Sequence, residues 1–259
     1  MLELPDRLPP GALCDGADAA LAHDLATTGA LWWHGAGLTA DATGAVTGWP
    51  ARMGARPAHP TDPNTGNALI AEAGDITGLQ CRDGLHCGLV IEDVTTSAAI
   101  ATLAVRYLPP PGEDARTLVT FNTGGAAKKT AGENYLYLSE AEGRVTVKDD
   151  NGLVEATLPA PTGDTPRIMI ASLAGDRLAV EVMGHDRAEV QARGPVLTGP
   201  ASLFIGCRNH RPGLTKTLGG ALIADVWLWP GRALLMPGDE TDRTALTALS
   251  RFRLWSEGS

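Results

Sequence analysis

PRIMIASLAGDRLAVEVMGH, residues 166–185, holds two strand-length runs and one place to turn. RIMIASLAG (167–175) and RLAVEVMG (177–184) meet at Gly175–Asp176. In the second run Leu178, Val180 and Val182 alternate with Ala179, Glu181 and Met183. Successive strand residues point to opposite faces, so this run has one dry face and one wet face. The segment predicts a β-hairpin. A second hairpin is predicted upstream, where RVTVKD (144–149) and LVEATL (153–158) flank Asn151–Gly152, residue types that accept the positive φ of a tight turn.

The same pattern continues on both sides. ALWW (30–33), AVTGW (45–49), SAAIATLAVRYL (97–108), RTLVTFN (116–122), NYLYLS (134–139), SLFIG (202–206) and ALIADVWLWP (221–230) are further strand candidates. Residues 50–68, dense in Pro, Gly and Asn and without a period, read as a long loop. Strands at intervals of about 8 to 15 residues with turn-rich connections predict a sandwich or barrel. Helical patterns sit at the ends. Residues 12–28 offer Asp15 or Asp18 as a cap and Ala19, Leu21, Ala22 and Leu25 as apolar positions. Residues 239–255 place acids first, arginines last, and Leu246 and Leu249 on one face. The predicted organisation is an N-terminal helical extension over 1–29, a candidate docking segment, and one β domain over 30–259.

The chain has 259 residues, long enough for a substantial core without staples. Its net charge of −9 opposes nucleic acid and anionic membrane surfaces. The adjacent Lys128 and Lys129 lie in a Gly-rich loop and form no basic patch. No run approaches the ~20 apolar residues of a membrane helix, so no membrane insertion is expected. The start, MLELPDRLPPG, lacks the basic and apolar regions of a secretory signal. The expectation is synthesis in the cytoplasm, with any later exit by another route. Of the cysteines Cys14, Cys81, Cys87 and Cys207, none forms a zinc-type pair. They read as buried thiols, with a Cys81–Cys87 disulfide as the alternative outside the cell.

In chain order, LWWHG (31–35), VTGWP (46–50), residues 166–185, LFIG (203–206), GALIADVWLWPGRALL (220–235) and DETDRTALTALSRF (239–252) resemble successive landmarks of the concanavalin A-like lectin/glucanase superfamily, in its laminin-G-like jelly-roll branch. The resemblance spans residues 30–255 and concerns fold more than ligand. It implies an all-β fold: a two-sheet antiparallel jelly-roll sandwich with an N-terminal helical extension and a short C-terminal helix. It also implies that Trp32 takes the family's buried tryptophan position. Trp33 is then turned outward, to be covered by the N-terminal helix, to bind a ring, or to meet another subunit.

The carboxylate machinery of the scaffold's hydrolases is not evident. A retaining glycosidase needs two carboxylates ~5 Å apart. Glu92 and Asp93 are adjacent and expected on opposite faces, while Glu140 and Glu142 fall at a hairpin turn. No Gly-x-Ser-x-Gly elbow is present, and FNTGGAAKKT (121–130) lacks the Gly-Lys-Ser/Thr of a phosphate loop. Three stretches are candidate binding elements. Asp62, Asn64 and Asn67 offer hard oxygens to calcium, or else make Asx turns. Arg208, Asn209, His210 and Arg211 gather planar polar groups suited to sugar hydroxyls or carboxylates, or else form a solvated loop. Asp225, Trp227 and Trp229 share one strand face, where the indoles stack on pyranose rings or are covered by the terminal helix.

The leading expectation is a non-catalytic carbohydrate-binding or adhesion protein. A spike or fibre of a phage or phage-like gene transfer agent, reading cell-surface polysaccharide, reconciles glycan binding with the missing signal. Particle structural proteins and self-association are its other expected partners. The alternatives are a structural, protein-binding sandwich and a glycoside hydrolase or polysaccharide lyase.

Overall fold

The computed structural model describes residues 16–54, 56–62, 64, 66–124, 132–210 and 215–257. In chain order the elements are α1 (Ala17–Leu25), β1 (Leu31–His34), β2 (Thr39–Ala40), β3 (Val46–Gly48), β4 (Ala51–Met53), β5 (His59–Pro60), β6 (Leu69–Ala73), β7 (Ile76–Gln80), β8 (Leu89–Thr95), β9 (Ile100–Leu108), β10 (Arg116–Asn122), β11 (Tyr135–Ala141), β12 (Arg144–Asp149), β13 (Glu155–Pro159), β14 (Arg167–Ala174), β15 (Arg177–Val182), β16 (Arg187–Gln191), β17 (Ala201–Ile205), β18 (Leu222–Pro230) and α2 (Glu240–Glu257). One sheet runs β16-β15-β14-β9-β18-β1-β4, with β7 also paired to β18 and β6 to β7. The other runs β13-β12-β11-β10-β17-β8-β5. Their inner faces share one core, to which Leu103, Val105, Leu136, Leu138, Val180, Leu203, Val226 and Leu228 belong.

The opening hairpin forms as read. Strand β14 pairs with β15 antiparallel from Met169↔Val182 to Ala174↔Arg177. Gly175 takes φ 66 as the first of two loop residues, a position where a side chain strains a tight hairpin turn. The 144–158 hairpin also forms, but its loop is longer than a two-residue turn. The Asp149 carboxylate accepts hydrogen bonds from Asn151 N (3.0 Å), Val154 N (2.8 Å) and Asn134 Nδ2 (3.0 Å), which opens the connection into a capped loop.

The nine-stranded sheet is buried on both faces. Its outer face carries Trp32, Trp227 and Trp229, covered by Leu21 and Leu25 of α1 and by Ala245, Leu249 and Phe252 of α2. Trp32 lies on Trp227 at 5.9 Å and 24°, and Phe252 presents its edge to both rings. Each buried indole removes about 150–250 Å² from water. The expected orientation of the tryptophan pair is therefore corrected. Trp33 faces the inter-sheet core, whereas Trp32 points outward and is covered by the two helices. Strand alternation separates the rings correctly; a cover on the second face keeps both of them dry.

The helices are shorter or longer than their sequence patterns. Helix α1 begins after Gly16 without a side-chain cap, because Asp18 turns from the helix end toward His34. Asp15 and Cys14 lie outside the described residues. Helix α2 is closed at its start by Asp239 and Asp242, each accepting a hydrogen bond from the other's backbone N–H at 3.0 and 3.2 Å. Trp255, near the end of this helix, is half exposed.

Charged groups tie α1 to the sheet. Asp225 on β18 has no exposed surface. Its Oδ1 accepts from Trp32 Nε1 at 2.9 Å and from His34 Nδ1 at 2.7 Å, and Oδ2 lies 3.5 Å from Arg106. His34 Nε2 reaches Asp18 of α1 at 3.3 Å. Burial by itself lowers the His34 pKa, but the hydrogen bonds and charges of Asp18 and Asp225 outweigh it and raise the value from 6.5 to about 9. Just beyond, a Cβ on Gly35 would stand 1.9 Å from the Thr77 carbonyl oxygen, so only glycine lets this turn pass β7.

Candidate functional site

The open polar surface lies on the outer face of the seven-stranded sheet. Along β11, Leu136, Leu138 and Glu140 turn inward, and Tyr135, Tyr137, Ser139 and Ala141 turn outward. Arg208, just past β17, lays its guanidinium carbon 3.5 Å from the centre of the Tyr137 ring. Its Nε donates to Thr117 Oγ1 at 3.0 Å, and its carbonyl accepts from Asn122 Nδ2 at 3.0 Å. Beside this pair opens a cleft of ≈ 400 Å³, lined by Arg116, Thr117, Ser139, Glu142, Arg208 and Lys216 among others. Strand β10 is irregular here. Its register against β11 shifts between Thr117 and Val119, and Arg116 takes φ 53. Positive φ at a non-glycine residue is a strained backbone, and such strain concentrates where side chains must be re-aimed. Glu142 across the cleft takes φ 52 in its own turn, its N–H bound to Asp114 Oδ1 at 2.8 Å.

Of the 207–213 stretch, Arg208 reaches this cleft and its neighbours go elsewhere. Asn209 is buried, its carbonyl accepting from His86 Nε2 at 3.2 Å. His210 sets its ring edge against Phe204 at 5.2 Å. Arg211 lies outside the described residues. The tryptophan platform is corrected as well. Trp33, Trp227 and Trp229 have no exposed area, so none offers a ring face to a ligand. Trp33 Nε1 donates to the Arg56 carbonyl at 3.1 Å, and Trp229 Nε1 to Thr28 Oγ1 at 3.1 Å. The alternative reading of Trp227 and Trp229, burial under the terminal helix, is what the structure holds.

The proposed calcium oxygens serve the loop itself. Asn64 Nδ2 donates to the Gly88 carbonyl at 2.8 Å, Asn64 Oδ1 accepts from Asn67 N at 3.3 Å, and Asn67 Nδ2 points to the His86 carbonyl at 3.5 Å. Asp62 is exposed. These are the Asx-type roles. Among the described residues, no group of three or more His, Cys, Asp or Glu side chains is arranged to hold a metal ion. Cys81, Cys87 and Cys207 are buried free thiols. Burial pushes Cys81 well above its ordinary value, raises Cys87, and takes Cys207 to about 12, which keeps them protonated and unreactive.

The carboxylates split by location. Glu140 lies between the sheets, where Tyr107 Oη and Arg167 each donate to one of its oxygens. Burial and the Glu140 charge together hold the Tyr107 hydroxyl well above its usual range. Glu142, two residues on, belongs to the outer cleft. One carboxylate is thus spent on an inter-sheet bridge and does not share a reaction centre with the other. Glu92 and Asp93 are both exposed, contrary to strict alternation, because Asp93 takes φ 47 and the β8–β17 register shifts beside it.

Sequence reading missed Tyr137, Thr117, Arg116, Ser139 and Lys216. The alternation in NYLYLS already set Tyr135, Tyr137 and Ser139 on one face. The bulge that brings Arg116 alongside, and the pairing of β10 with β17 that delivers Arg208, have no local signature.

Two stacked antiparallel sheets with these connections form a jelly-roll β-sandwich. No protein-family model matches the sequence, and no curated protein matches it. Among solved structures, Trypanosoma rangeli sialidase in complex with a difluoro-KDN ligand superposes with a TM-score of 0.56 at 16% identity, over 87% of this chain and 33% of that chain. A second structure of Trypanosoma rangeli sialidase gives 0.55 at 16% identity, over 87% and 34%. Mouse laminin alpha1 domains LG4-5 give 0.45 at 14% identity, over 63% and 44%. The chain therefore spans about a third of the length of the sialidase chains it resembles, and the likeness is one of fold.

Proposed function

We propose that this protein is a non-catalytic carbohydrate-binding sandwich that holds a glycan in the cleft beside Tyr137 and Arg208. The observation that carries this reading is the composition of that cleft. An aromatic ring backs a planar cation, and the hydroxyls of Thr117 and Ser139 and the acids Asp114 and Glu142 line the cleft with it. Sugars are held by such a mixture of planar hydrogen-bonding groups around an aromatic surface. The separation of Glu140 from Glu142 supports binding over cleavage. The test is a glycan microarray followed by a reducing-end assay on every ligand found. Binding without turnover is expected. Hydrolysis or lyase cleavage of a bound glycan by the pure chain would replace this reading with an enzymatic one.

The finer part of the proposal is display on a phage or gene-transfer-agent particle. Residues 1–29 would dock and residues 30–259 would read cell-surface polysaccharide, with avidity from multiple copies. Co-sedimentation with particles from a producing strain is expected, and its absence rejects the particle role. A protein-binding sandwich is the competing reading. It is favoured by Leu254 and Trp255, which are exposed near the end of α2. A stable oligomer in sizing chromatography, with Trp255 fluorescence buried and no glycan bound, supports that reading instead.

A further inference from the structure

We infer that the saccharide unit seated in this cleft carries a carboxylate, and that Arg208 is its anchor. The inference rests on the glycan-binding proposal and adds the chemical class of the ligand. The chain has 30 acidic side chains against 21 lysines and arginines, so a cation held in place without an acid is unexpected. Three other buried or half-buried arginines are neutralised: Arg106 by Asp225, Arg167 by Glu140, and Arg232 by Asp239 and Asp242. Arg208 is half-buried and held by the Tyr137 face, the Thr117 hydroxyl and the Tyr135 hydroxyl, which itself donates to Asp150 Oδ1 at 2.8 Å. Among the described residues no carboxylate lies within ion-pair distance of it, and none lies within that distance of Lys216 on the same cleft. Arg116 adds a third cation, its nearest acid, Asp83, at 3.7 Å.

An arginine pinned through Nε and stacked on a ring keeps its terminal N–H groups in a fixed plane. That plane matches the two oxygens of a carboxylate and holds them by paired, charge-assisted hydrogen bonds. The carboxylate docks on Arg208, with Lys216 and Arg116 adding charge from the rim. Glu142 and Asp114, which also line the cleft, repel the anion and accept ring hydroxyls instead. The cleft therefore sets one orientation for an acidic sugar, and a neutral sugar leaves the guanidinium unmatched.

The experiment is equilibrium binding of the full chain to polygalacturonate, dextran, dextran sulfate and poly-glutamate at several salt concentrations. Polygalacturonate is expected to bind, more weakly as salt rises, and dextran at least ten-fold more weakly. Arg208→Ala is expected to lose at least ten-fold in polygalacturonate binding. Arg208→Lys, which keeps the charge but not the plane, should lose nearly as much. Unchanged thermal unfolding of both variants shows that the fold is intact. Equal affinity for dextran, binding of dextran sulfate in preference to polygalacturonate, or full affinity in Arg208→Ala overturns the carboxylate assignment and leaves glycan binding standing. Poly-glutamate bound as tightly as polygalacturonate shows that the anion and not the sugar is read, which overturns it too. No polysaccharide bound in this set or on the microarray rejects both proposals.

Discussion

Asp225 has no exposed surface and is held by Trp32, His34 and Arg106, and the His34 beside it makes the protein's stability depend on pH. His34 faces Asp225 from β18 and Asp18 from α1, with Arg52 near Asp18 at 3.8 Å and Arg106 on the far side of Asp225. Its folded pKa of about 9 stands above the ordinary 6.5. The folded state thus favours the protonated ring. This contribution is complete below pH 6.5 and disappears as pH rises through about 9. It amounts to on the order of 3 kcal/mol. Urea unfolding from pH 6 to 10 should show that decline, and His34→Gln should flatten it. An equally steep decline in the variant would place the effect elsewhere. The indoles give a second contrast. Trp227 Nε1 has no hydrogen-bond partner among the described residues, while Trp229 Nε1 donates to Thr28. Trp229→Phe should therefore cost about 1 kcal/mol more than Trp227→Phe in urea unfolding, since both lose similar volume and only one loses a hydrogen bond. Equal costs would contradict the pairing. The shared face of Asp225, Trp227 and Trp229 was legible from alternation. Its meaning was not, because His34 lies 191 positions away and the helices that cover the face lie at opposite ends of the chain.

At the scale of elements, long alternating strands were readable and short ones were not. Strands β9, β10, β11, β14, β15 and β18 each carry enough alternation or apolar length to declare themselves. Strands β4 and β5 hold three and two residues within the 50–68 stretch read as loop, too few to show a period. The hairpin of β6 and β7 has only Gly74–Asp75 to mark its turn, and β16 is exposed and polar along most of its length. These pieces are specified by pairing with distant strands more than by their own residues. The close crossing of Gly35 over β7 is one such dependence. Gly35→Ala should destabilise by about 1–3 kcal/mol or prevent folding, because the added methyl meets backbone that cannot step aside. A change in the denaturation midpoint corresponding to less than ~0.5 kcal/mol would show that the crossing is looser than described.

For the whole molecule, coverage decides where a ligand can sit. The nine-stranded sheet is closed on its outer face by α1 and α2, which removes the tryptophans from recognition. Among the described residues, the seven-stranded sheet is covered only over β8 and β17, by a small cluster of Val90, Phe204, Cys207 and Leu218, and is open toward β11, β12 and β13. The cleft occupies the border between the covered and open parts. Arg208 was legible from the density of polar groups after a strand, but the face it joins was not, because that face is assembled from β10, β11, Arg208, Lys216 and Thr217 together. Glycan binding is proposed at this cleft. Its most direct measurement is the binding of a microarray-selected glycan to the wild-type chain, to Ser139→Trp, which fills the cleft, and to Thr247→Trp on the exposed side of α2. Ser139→Trp is expected to lose binding at least ten-fold and Thr247→Trp to keep it. Full binding by a folded Ser139→Trp variant would contradict it.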